Sequence, residues 1–483
     1  LIMLILLFLS SGLFLGWSLG ANDASNIFGA AVSTRMVKFR TAALIASIFV
    51  IIGAVVSGSG ASHTLGELGS VNMIAGAFMV ALAAGLTVLL MTRLGIPVSA
   101  SQAIVGAIIG WNFFSGTLTD WTTLIKITAA WVAGPLLAAI FAYLLYRTLT
   151  RFTHTVGIHL FRLDAYTRVG LLLITAFGAY ALGANNIANV MGVFVPVTPF
   201  RPFSLGSMGE FTGIHQLFLL GGIAIAVGIF TYSKRVIQTV GKDLLRLTPQ
   251  AALVVVLAES LVLFLFASRN LHDWLIASGL PAFPLVPISS SQAVVGAVLG
   301  IGFAHGGRNI RLKVLGRIAF GWITTPALAL ALTFVTLFFL QNVFDQQVYY
   351  PVRYRVDAAV TQRLTSAGVA VKDDLSGNYE NGRLFIRRLR SAGYGIDDRR
   401  VIMEYAELLP VKIQAVELLQ SKVGDWFTEQ QISQISALSG RQFKYKWQLE
   451  EELVAIGIEL SGAQMEYLYR YFRLPIHEAQ GLR

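Results

Sequence analysis

Long apolar stretches, separated by short polar connections, occupy the first 344 residues of the chain. Most are long enough to cross a bilayer whose hydrocarbon core is about 30 Å thick, because a helix rises about 1.5 Å per residue. The pattern therefore predicts an all-α polytopic membrane protein. The ten stretches lie near residues 1–34, 41–58, 73–92, 97–114, 123–146, 169–199, 213–231, 249–268, 285–304 and 318–340.

Two polar phrases interrupt these stretches, and each occurs twice in the same order. An Asn-rich phrase lies at Leu19–Asn26 and Leu182–Asn189, and a Ser-rich phrase at Pro97–Ala107 and Pro287–Ala297. Polar, irregular backbone at membrane depth is tolerated only where it lines a cavity or is buried in protein. The repetition predicts a transporter built from two repeats, with broken or re-entrant helices at the binding site.

Charged residues divide the chain at about residue 344. The sequence has 483 residues, of which 55% are hydrophobic and 13% charged, and its net charge is +11. Residues 1–344 contain 19 Lys and Arg against 8 Asp and Glu, whereas residues 345–483 contain 18 of each. We therefore expect membrane repeat A over 1–150, membrane repeat B over 151–344 and a soluble C-terminal domain over 345–483.

The C-terminal domain shows the mixed apolar and charged pattern of a mainly helical domain. A loop is expected over 377–382. A basic stretch of Arg383, Arg387, Arg388 and Arg390 is interpreted as a solvated helix face rather than a contact with lipid or an acidic partner. Helices are expected over 401–420 with a break at Pro410, and over 428–438, 447–460 and 461–473.

The loops of the membrane region alternate in charge. Arg35, Lys38 and Arg40 form a basic cluster, whereas residues 59–72 contain no Lys or Arg, and the alternation continues along both halves. Basic loops face the cytoplasm, which gives five crossings per half and hence opposite orientations of the two repeats. The predicted location is the cell (inner) membrane, with the C-terminal domain outside the cytoplasm.

The Asn-rich phrases have the chemistry of a cation site. A carboxylate such as that of Asp23 is costly in a membrane segment unless it is paired or hydrated, and hard cations prefer oxygen ligands. The second phrase has Asn186 at the corresponding position, so the two sites cannot be equivalent. The alternatives are a polar seam between helices and, for Glu259, a structural hydrogen bond. The expected cation-binding residues are Asp23, Asn26, Asn186, Asn189 and Glu259.

The Ser-rich phrases have the chemistry of a neutral anion site. Each reads as a helix start at membrane depth, where free backbone N–H groups, hydroxyls and amides supply hydrogen-bond donors. The alternative is helix capping by Ser alone. The expected anion-binding residues are Ser99, Ser101, Gln102, Ser289, Ser290, Ser291 and Gln292, with Asn22 and Asn185 as further contacts.

Several classes of function are not supported by the sequence. It contains no Cys, which excludes disulfides and thiolate metal sites. It has no P-loop, dinucleotide-binding glycine pattern or catalytic triad motif, so neither an enzyme nor a bound cofactor is expected. Basic residues beside membrane spans explain the net charge without nucleic acid.

The four phrases resemble those of the inorganic phosphate transporter (PiT) family, which includes phosphate permeases coupled to Na⁺ or H⁺ and some sulfate permeases. The resemblance covers about residues 1–340. It implies secondary active import of inorganic phosphate by an inverted-repeat protein, often a homodimer. The anion would lie between the two Ser-rich helix starts. Sodium, where it is the coupling ion, would be held by Asp23, Asn26 and Asn189.

The chain departs from the family pattern at three positions, and these departures bear on the substrate and the coupling ion. Asn186 replaces the usual Asp, while Gln102 and Gln292 stand where phosphate transporters often carry His. Sulfate is therefore an alternative substrate, and the coupling ion is either Na⁺ or H⁺. A channel without cation coupling and a membrane anion sensor that signals through the C-terminal domain are also compatible with the sequence.

Overall fold

The protein, as described by a computed structural model, forms two compact units. The membrane unit comprises residues 1–114, 119–200 and 211–349. The C-terminal unit comprises residues 115–118, 201–210 and 350–483. The structure describes residues 2–69, 71–94, 98–157, 159–198, 200, 203–204, 210–240, 248–306, 312–414, 427–458, 460 and 462–474. Pro97, Ser461 and residues 415–420, which carried sequence-based expectations, lie outside these ranges.

The described part of the membrane unit is built of helices, which confirms the predicted all-α membrane region. Eight described helical segments are long and apolar enough to cross a membrane. The helices of the unit are α1 (Ile2–Asn22), α2 (Ala24–Ser33), α3 (Phe39–Ser57), α4 (Ser59–Leu68), α5 (Ile74–Arg93), α6 (Ala100–Ser115), α7 (Trp121–Val156), α8 (Leu160–Met191), α9 (Gly213–Thr231), α10 (Ser233–Val240), α11 (Pro249–Ala267), α12 (Arg269–Ala277), α13 (Ser290–Ala304) and α14 (Leu312–Asn342).

The helix interruptions follow the polar phrases with one exception. The helices α6 and α13 have only 16 and 15 residues, and each begins at a Ser-rich phrase. Asp23 separates α1 from α2 within the first Asn-rich phrase. The second Asn-rich phrase lies inside the continuous helix α8, so the expected helix interruptions do not extend to this phrase. Its asparagine side chains, rather than an opened backbone, meet the polar groups of neighbouring segments.

Glycines bring each Ser-rich helix close to the last helix of the opposite repeat. A Cβ atom at Gly106 of α6 would lie 2.2 Å from the carbonyl oxygen of Pro326 in α14, and one at Gly296 of α13 would lie 2.1 Å from that of Pro135 in α7. Small residues permit such backbone contact between membrane helices. The same pairing recurs one turn later, which makes both pairs parallel, at Gly110 with Leu330 and Gly300 with Ala139.

The C-terminal unit contains the expected helices and, in addition, short strands that the sequence analysis did not predict. Its four-stranded antiparallel sheet has the order β4-β3-β5-β6, and a separate pair consists of β1 (Phe203–Ser204) and β2 (Glu210–Phe211). The elements from residue 350 onward are β3 (Arg353–Val356), α15 (Ala358–Ser366), β4 (Gly377–Tyr379), α16 (Gly382–Ser391), α17 (Ile396–Ala406), β5 (Glu407–Lys412), α18 (Glu429–Ala437), β6 (Gln442–Tyr445), α19 (Lys446–Ala455) and α20 (Gly462–Phe472).

Two expectations for this unit are wrong. The segment around Pro410 is strand β5 rather than a broken helix, and β4 occupies part of the predicted loop at 377–382. The tripeptide Leu408-Leu409-Pro410 packs in the sheet, where its apolar side chains contribute to two cores. The helices predicted over 428–438, 447–460 and 461–473 correspond to α18, α19 and α20.

The C-terminal unit repeats one arrangement of described elements. The order strand, helix, strand, helix, helix occurs from β3 to α17 and again from β5 to α20. The first strands of the two halves, β3 and β5, pair antiparallel in the middle of the sheet. Gly368 and Gly440 follow the first helix of each half, and both have positive φ angles, of 81° and 85°. The unit therefore consists of two halves with the same order of described elements.

The close contact of α13 with α7 predicts that Gly296→Ala destabilises the membrane unit. The added methyl group must displace the Pro135 carbonyl, and overpacking of this kind costs about 1–3 kcal/mol. The matched control is Gly316→Ala in α14, where a Cβ atom would meet nothing within 4 Å. Thermal unfolding of the purified protein in detergent should show a lower midpoint for Gly296→Ala only. Equal midpoints for the two variants would contradict the close packing.

Candidate functional site

All four polar phrases meet in one hydrogen-bonded cluster inside the membrane unit. Ser101, in the first turn of α6, donates to the carbonyl oxygen of Ile288, just before α13, at 2.9 Å. Asn189 of α8 donates to the Ser101 hydroxyl oxygen at 2.9 Å. Asn186 donates to the Asp23 carboxylate at 3.3 Å. Segments far apart in sequence are thus joined by side chains of the repeated phrases.

Asn185 connects α8 by hydrogen bonds to the segment that leads into α13. Its amide nitrogen donates to the carbonyl oxygen of Ile288 at 2.9 Å, and its amide oxygen accepts from the Ile288 backbone N–H at 3.0 Å. It also donates to the Asn186 side-chain oxygen at 2.8 Å. Asn185 is fully buried. It satisfies backbone groups that the non-helical approach to α13 leaves without helical partners.

The two Ser-rich helices begin in the same way. The backbone N–H of Gln102 donates to the Ser99 hydroxyl oxygen at 3.3 Å, and that of Gln292 donates to the Ser289 hydroxyl oxygen at 3.2 Å. Ser99 and Ser289 therefore fulfil the capping alternative. The remaining hydroxyls of the two helix starts belong to Ser101, Ser290 and Ser291.

The two glutamines retain unused hydrogen-bonding capacity. Gln102 and Gln292 are buried, and neither Oε1 atom has a partner in the described part of the chain. A rotated primary amide presents either its oxygen or its NH₂ group. The first backbone N–H groups of a helix also lack helical partners and favour negative charge. Each helix start therefore offers several neutral donors within a small space.

Asp23 supplies the negative charge of the cluster. Its side chain is 3% exposed, and it accepts hydrogen bonds from Asn22 at 2.9 Å and from Asn186 at 3.3 Å. The buried Ser290 hydroxyl has no hydrogen-bond partner among the described residues. No lysine or arginine among the residues with described side chains is buried. The Asp23 carboxylate consequently has hydrogen-bond donors around it but no basic side chain paired with it.

Glu259 is a second buried carboxyl group close to the cluster. It lies in α11 with 0% exposure, and neither carboxyl oxygen has a hydrogen-bond partner among the described residues. It interacts electrostatically with Asp23. The structural hydrogen bond considered from the sequence is not present among those residues. Two acidic groups therefore share one buried region of the membrane unit.

The cluster is asymmetric although its sequence phrases are repeated. Asn189 is buried and hydrogen-bonded, whereas its counterpart Asn26 is half-buried and its side chain makes no hydrogen bond within the described ranges. Ser101 reaches across to Ile288, but its counterpart Ser291 instead shares a hydrogen bond with Ser289 at 3.0 Å. One half of the site is closed by cross-repeat contacts that the other half lacks in the described part of the chain.

Sequence reasoning selected most of the cluster and missed Ile288. The structure brings together the repeated Asn, Asp, Ser and Gln positions, while the Asn26 side chain stays outside the hydrogen-bonded network. Ile288 contributes only its backbone N–H and carbonyl groups, so its apolar side chain carries no signal of this role. Its place between Pro287 and the cap Ser289, where no helix can satisfy these groups, is the available clue.

Comparisons with known proteins agree with this architecture. A family model described as "Phosphate transporter family" matches residues 19–333 and 283–369. The chain belongs to the phosphate transporter family. It is 27% identical over 317 residues to a Methanocaldococcus jannaschii protein named "Putative phosphate permease", covering 66% of this chain and 91% of the relative. A Haemophilus influenzae protein of the same name is 25% identical over 419 residues, covering 69% and 96%.

A solved structure supports the fold of this phosphate transporter family member. The structure, titled "The sodium-dependent phosphate transporter", matches with a TM-score of 0.56 and 24% identity. The match covers 70% of this chain and 99% of the other. The expectations of a membrane transporter of the phosphate transporter family and of a non-enzymatic protein are confirmed by the family match.

The role of Asn185 predicts a different stability effect at the two matching asparagines. Asn185→Ala leaves the buried Ile288 N–H without its partner, at a cost of about 1–3 kcal/mol for an unsatisfied group, while the Ile288 carbonyl oxygen keeps the hydrogen bond from Ser101. Asn22→Ala is the matched control, because Asn22 is half-buried and bonds only to the neighbouring Asp23 side chain. Thermal unfolding in detergent should show the larger loss for Asn185→Ala. A larger loss for Asn22→Ala would refute the anchoring role.

Proposed function

We propose that this protein is a secondary active transporter that imports inorganic phosphate together with Na⁺ or H⁺ across the cell (inner) membrane. The observation that carries the proposal is the convergence of the four repeated phrases in one buried cluster. The cluster combines two neutral helix starts with two carboxyl groups. The names of the relatives, which refer to phosphate, support this substrate.

The cation part of the proposal rests on the buried carboxylate. Transfer of an unpaired charge into an apolar interior is very unfavourable, so a buried carboxylate binds a cation or a proton. Asp23 is the main ligand, and the free side-chain oxygen of Asn189 is a further one. Asn26 and Asn186 supply additional amide oxygens. Glu259 is the second acidic group, and it binds a proton or a second cation.

The anion part rests on the two helix starts. Backbone N–H groups at helix starts and the hydroxyls of Ser101, Ser290 and Ser291 bind the phosphate oxygens without a basic residue. Asn22 and Asn185 lie beside this position. Gln102 and Gln292 contact the oxygens of the anion and discriminate phosphate from sulfate, since each amide can accept a hydrogen bond from the O–H of hydrogen phosphate or donate one to sulfate. Ser99 and Ser289 shape the site by capping.

The asymmetry of the cluster supports transport by alternating access. The closed half contains the hydrogen bonds from Ser101 to Ile288 and from Asn189 to Ser101. Inverted repeats allow the opposite state, in which Ser291 bonds to the Val98 carbonyl and Asn26 bonds to Ser291. Exchange between the two sets opens the site alternately to each side of the membrane. A channel, in contrast, would not require the site to close on one side before it opens on the other.

The proposal also concerns the side of the membrane on which the C-terminal unit lies and the number of subunits. The C-terminal unit lies outside the cytoplasm in this proposal, and the alternating charge of the loops supports that side. The homodimer implied by the family resemblance stays a prediction, and the oligomeric state can be measured by mass photometry of the purified protein. Sulfate transport and anion sensing are separated from phosphate import by direct uptake measurements.

We expect Asp23→Asn to abolish cation-driven phosphate uptake while leaving the protein folded, because asparagine keeps the shape but cannot neutralise a cation. The measurement is uptake of labelled phosphate into proteoliposomes, with sodium and proton gradients imposed separately. Labelled sulfate is measured in parallel. The control is Asp164→Asn, because Asp164 is an exposed carboxylate at the start of α8. Uptake that still follows a cation gradient in Asp23→Asn would remove this carboxylate from the mechanism.

Ser101→Ala and Ser291→Ala should each weaken phosphate binding. Loss of one hydrogen bond to a charged ligand costs about 1–3 kcal/mol, which corresponds to a roughly tenfold to hundredfold higher apparent KM. Ser10→Ala is the control, because that exposed hydroxyl bonds only to its own helix. Gln102→His and Gln292→His should alter the preference between phosphate and sulfate. An unchanged KM in both serine variants would exclude the assigned anion site.

A further inference from the structure

The outer face of α16 in the C-terminal unit is strongly basic. Arg383, Arg387 and Arg390 follow the helical spacing that places them on one side, opposite the fully buried Phe385 and Leu389. Arg387 and Arg390 are exposed, and their side chains have no ion-pair or hydrogen-bond partner among the described residues. Like charges at this spacing repel each other, and an anionic partner bound to this face would reduce that repulsion.

An exposed apolar residue flanks the basic face. Leu384 is 46% exposed and lies about 100° around the helix from Arg383, between the basic face and the buried face. A helix that combines basic side chains with an exposed apolar side chain is typical of segments that lie in a membrane interface. The α16 face therefore has both components of such a contact.

The corresponding helix of the second half shows that this charge is particular to α16. In α19 the positions that match Arg383, Arg387 and Arg390 carry Trp447, Glu451 and Val454, and the glutamates at 450, 451 and 452 all have basic partners within the unit. Arg363 pairs with Glu451 at 2.7 Å, and Arg441 pairs with Glu452. The acidic helix is thus neutralised internally. The basic helix retains two arginines for a partner outside the unit.

The start of α16 packs against a loop that joins two membrane helices. A Cβ atom at Gly382 would lie 3.2 Å from the Leu118 side chain, and Gly116 lies beside Asn381. Residues 115–118 connect the end of α6 to α7, which begins at Trp121. Trp121 is 66% exposed, as expected for an aromatic residue at a membrane interface. The start of α16 therefore contacts the connection between α6 and α7, which belongs to the same unit.

We propose that the basic face of α16, formed by Arg383, Arg387 and Arg390 with Leu384, binds the phosphate headgroups of anionic phospholipids in the bilayer that the chain spans. The arginine guanidinium group forms paired hydrogen bonds with phosphate oxygens. Basic clusters beside membrane helices are attracted to anionic lipid. Leu384 inserts among the acyl chain ends. The contact fixes the C-terminal unit against the membrane surface.

The test uses the full-length protein in nanodiscs of phosphatidylcholine, with or without phosphatidylglycerol. Hydrogen–deuterium exchange is followed in the peptide that covers α16. We expect exchange in this peptide to slow by about fivefold or more when phosphatidylglycerol is present. The double variant R387Q/R390Q should lose this difference. The matched control R400Q/K412Q removes the same charge elsewhere in the unit and should keep it.

Three outcomes would overturn the proposal. The first is a lipid effect that persists in R387Q/R390Q, and the second is an equal loss in R400Q/K412Q, which would indicate net charge alone. The third is slower exchange in phosphatidylcholine nanodiscs on addition of inorganic phosphate, which would indicate a site for the free anion. An unchanged unfolding midpoint in R387Q/R390Q verifies that both arginines are dispensable for folding.

Discussion

The Asp23 carboxylate, buried in the membrane unit without a basic partner among the described residues, is the constraint that organises the rest of the site. Amide donors from Asn22 and Asn186 reduce the cost of its charge but cannot remove it. In the transport mechanism proposed above, a cation at this position would neutralise the carboxylate and so remove a repulsion from an anion at the helix starts. Binding of the two ions would then be mutually favourable, which coupled transport requires.

The exchange of helices between repeats explains how four distant phrases reach one place. Gly106 and Gly296 let each Ser-rich helix contact the backbone of the last helix of the opposite repeat. Each partner helix contains a proline at the contact, Pro326 or Pro135, which removes one helical hydrogen bond. The Ser-rich helices are consequently held by both repeats. A movement of one repeat relative to the other must then displace the starts of both Ser-rich helices.

The candidate site was predicted from the repetition of polar residues. Such residues are rare at membrane depth because their burial is unfavourable, and they therefore indicate a functional site. The sequence also predicted the short helices α6 and α13, since a proline and serines mark their beginnings. It did not predict that α8 continues through its Asn-rich phrase or that Ile288 binds Asn185. Both depend on tertiary hydrogen bonds to backbone groups, which leave no mark on residue identity. In the C-terminal unit the alternation of Val352, Tyr354 and Val356 with two arginines is typical of a strand but was not used, whereas the segment around Pro410 has no such alternation.

The inverted repeats have equivalent folds but unequal chemistry, and this inequality is informative. With Asn186 in place of a second aspartate, the cluster holds one carboxylate in its phrases and a second acidic group at Glu259. Asn186 can donate to Asp23 as well as accept from Asn185, which an aspartate could not do. The substitution thus converts a charge repulsion between the two phrases into a hydrogen bond. The repeats can approach each other more closely at this point than two carboxylates would allow without an intervening cation.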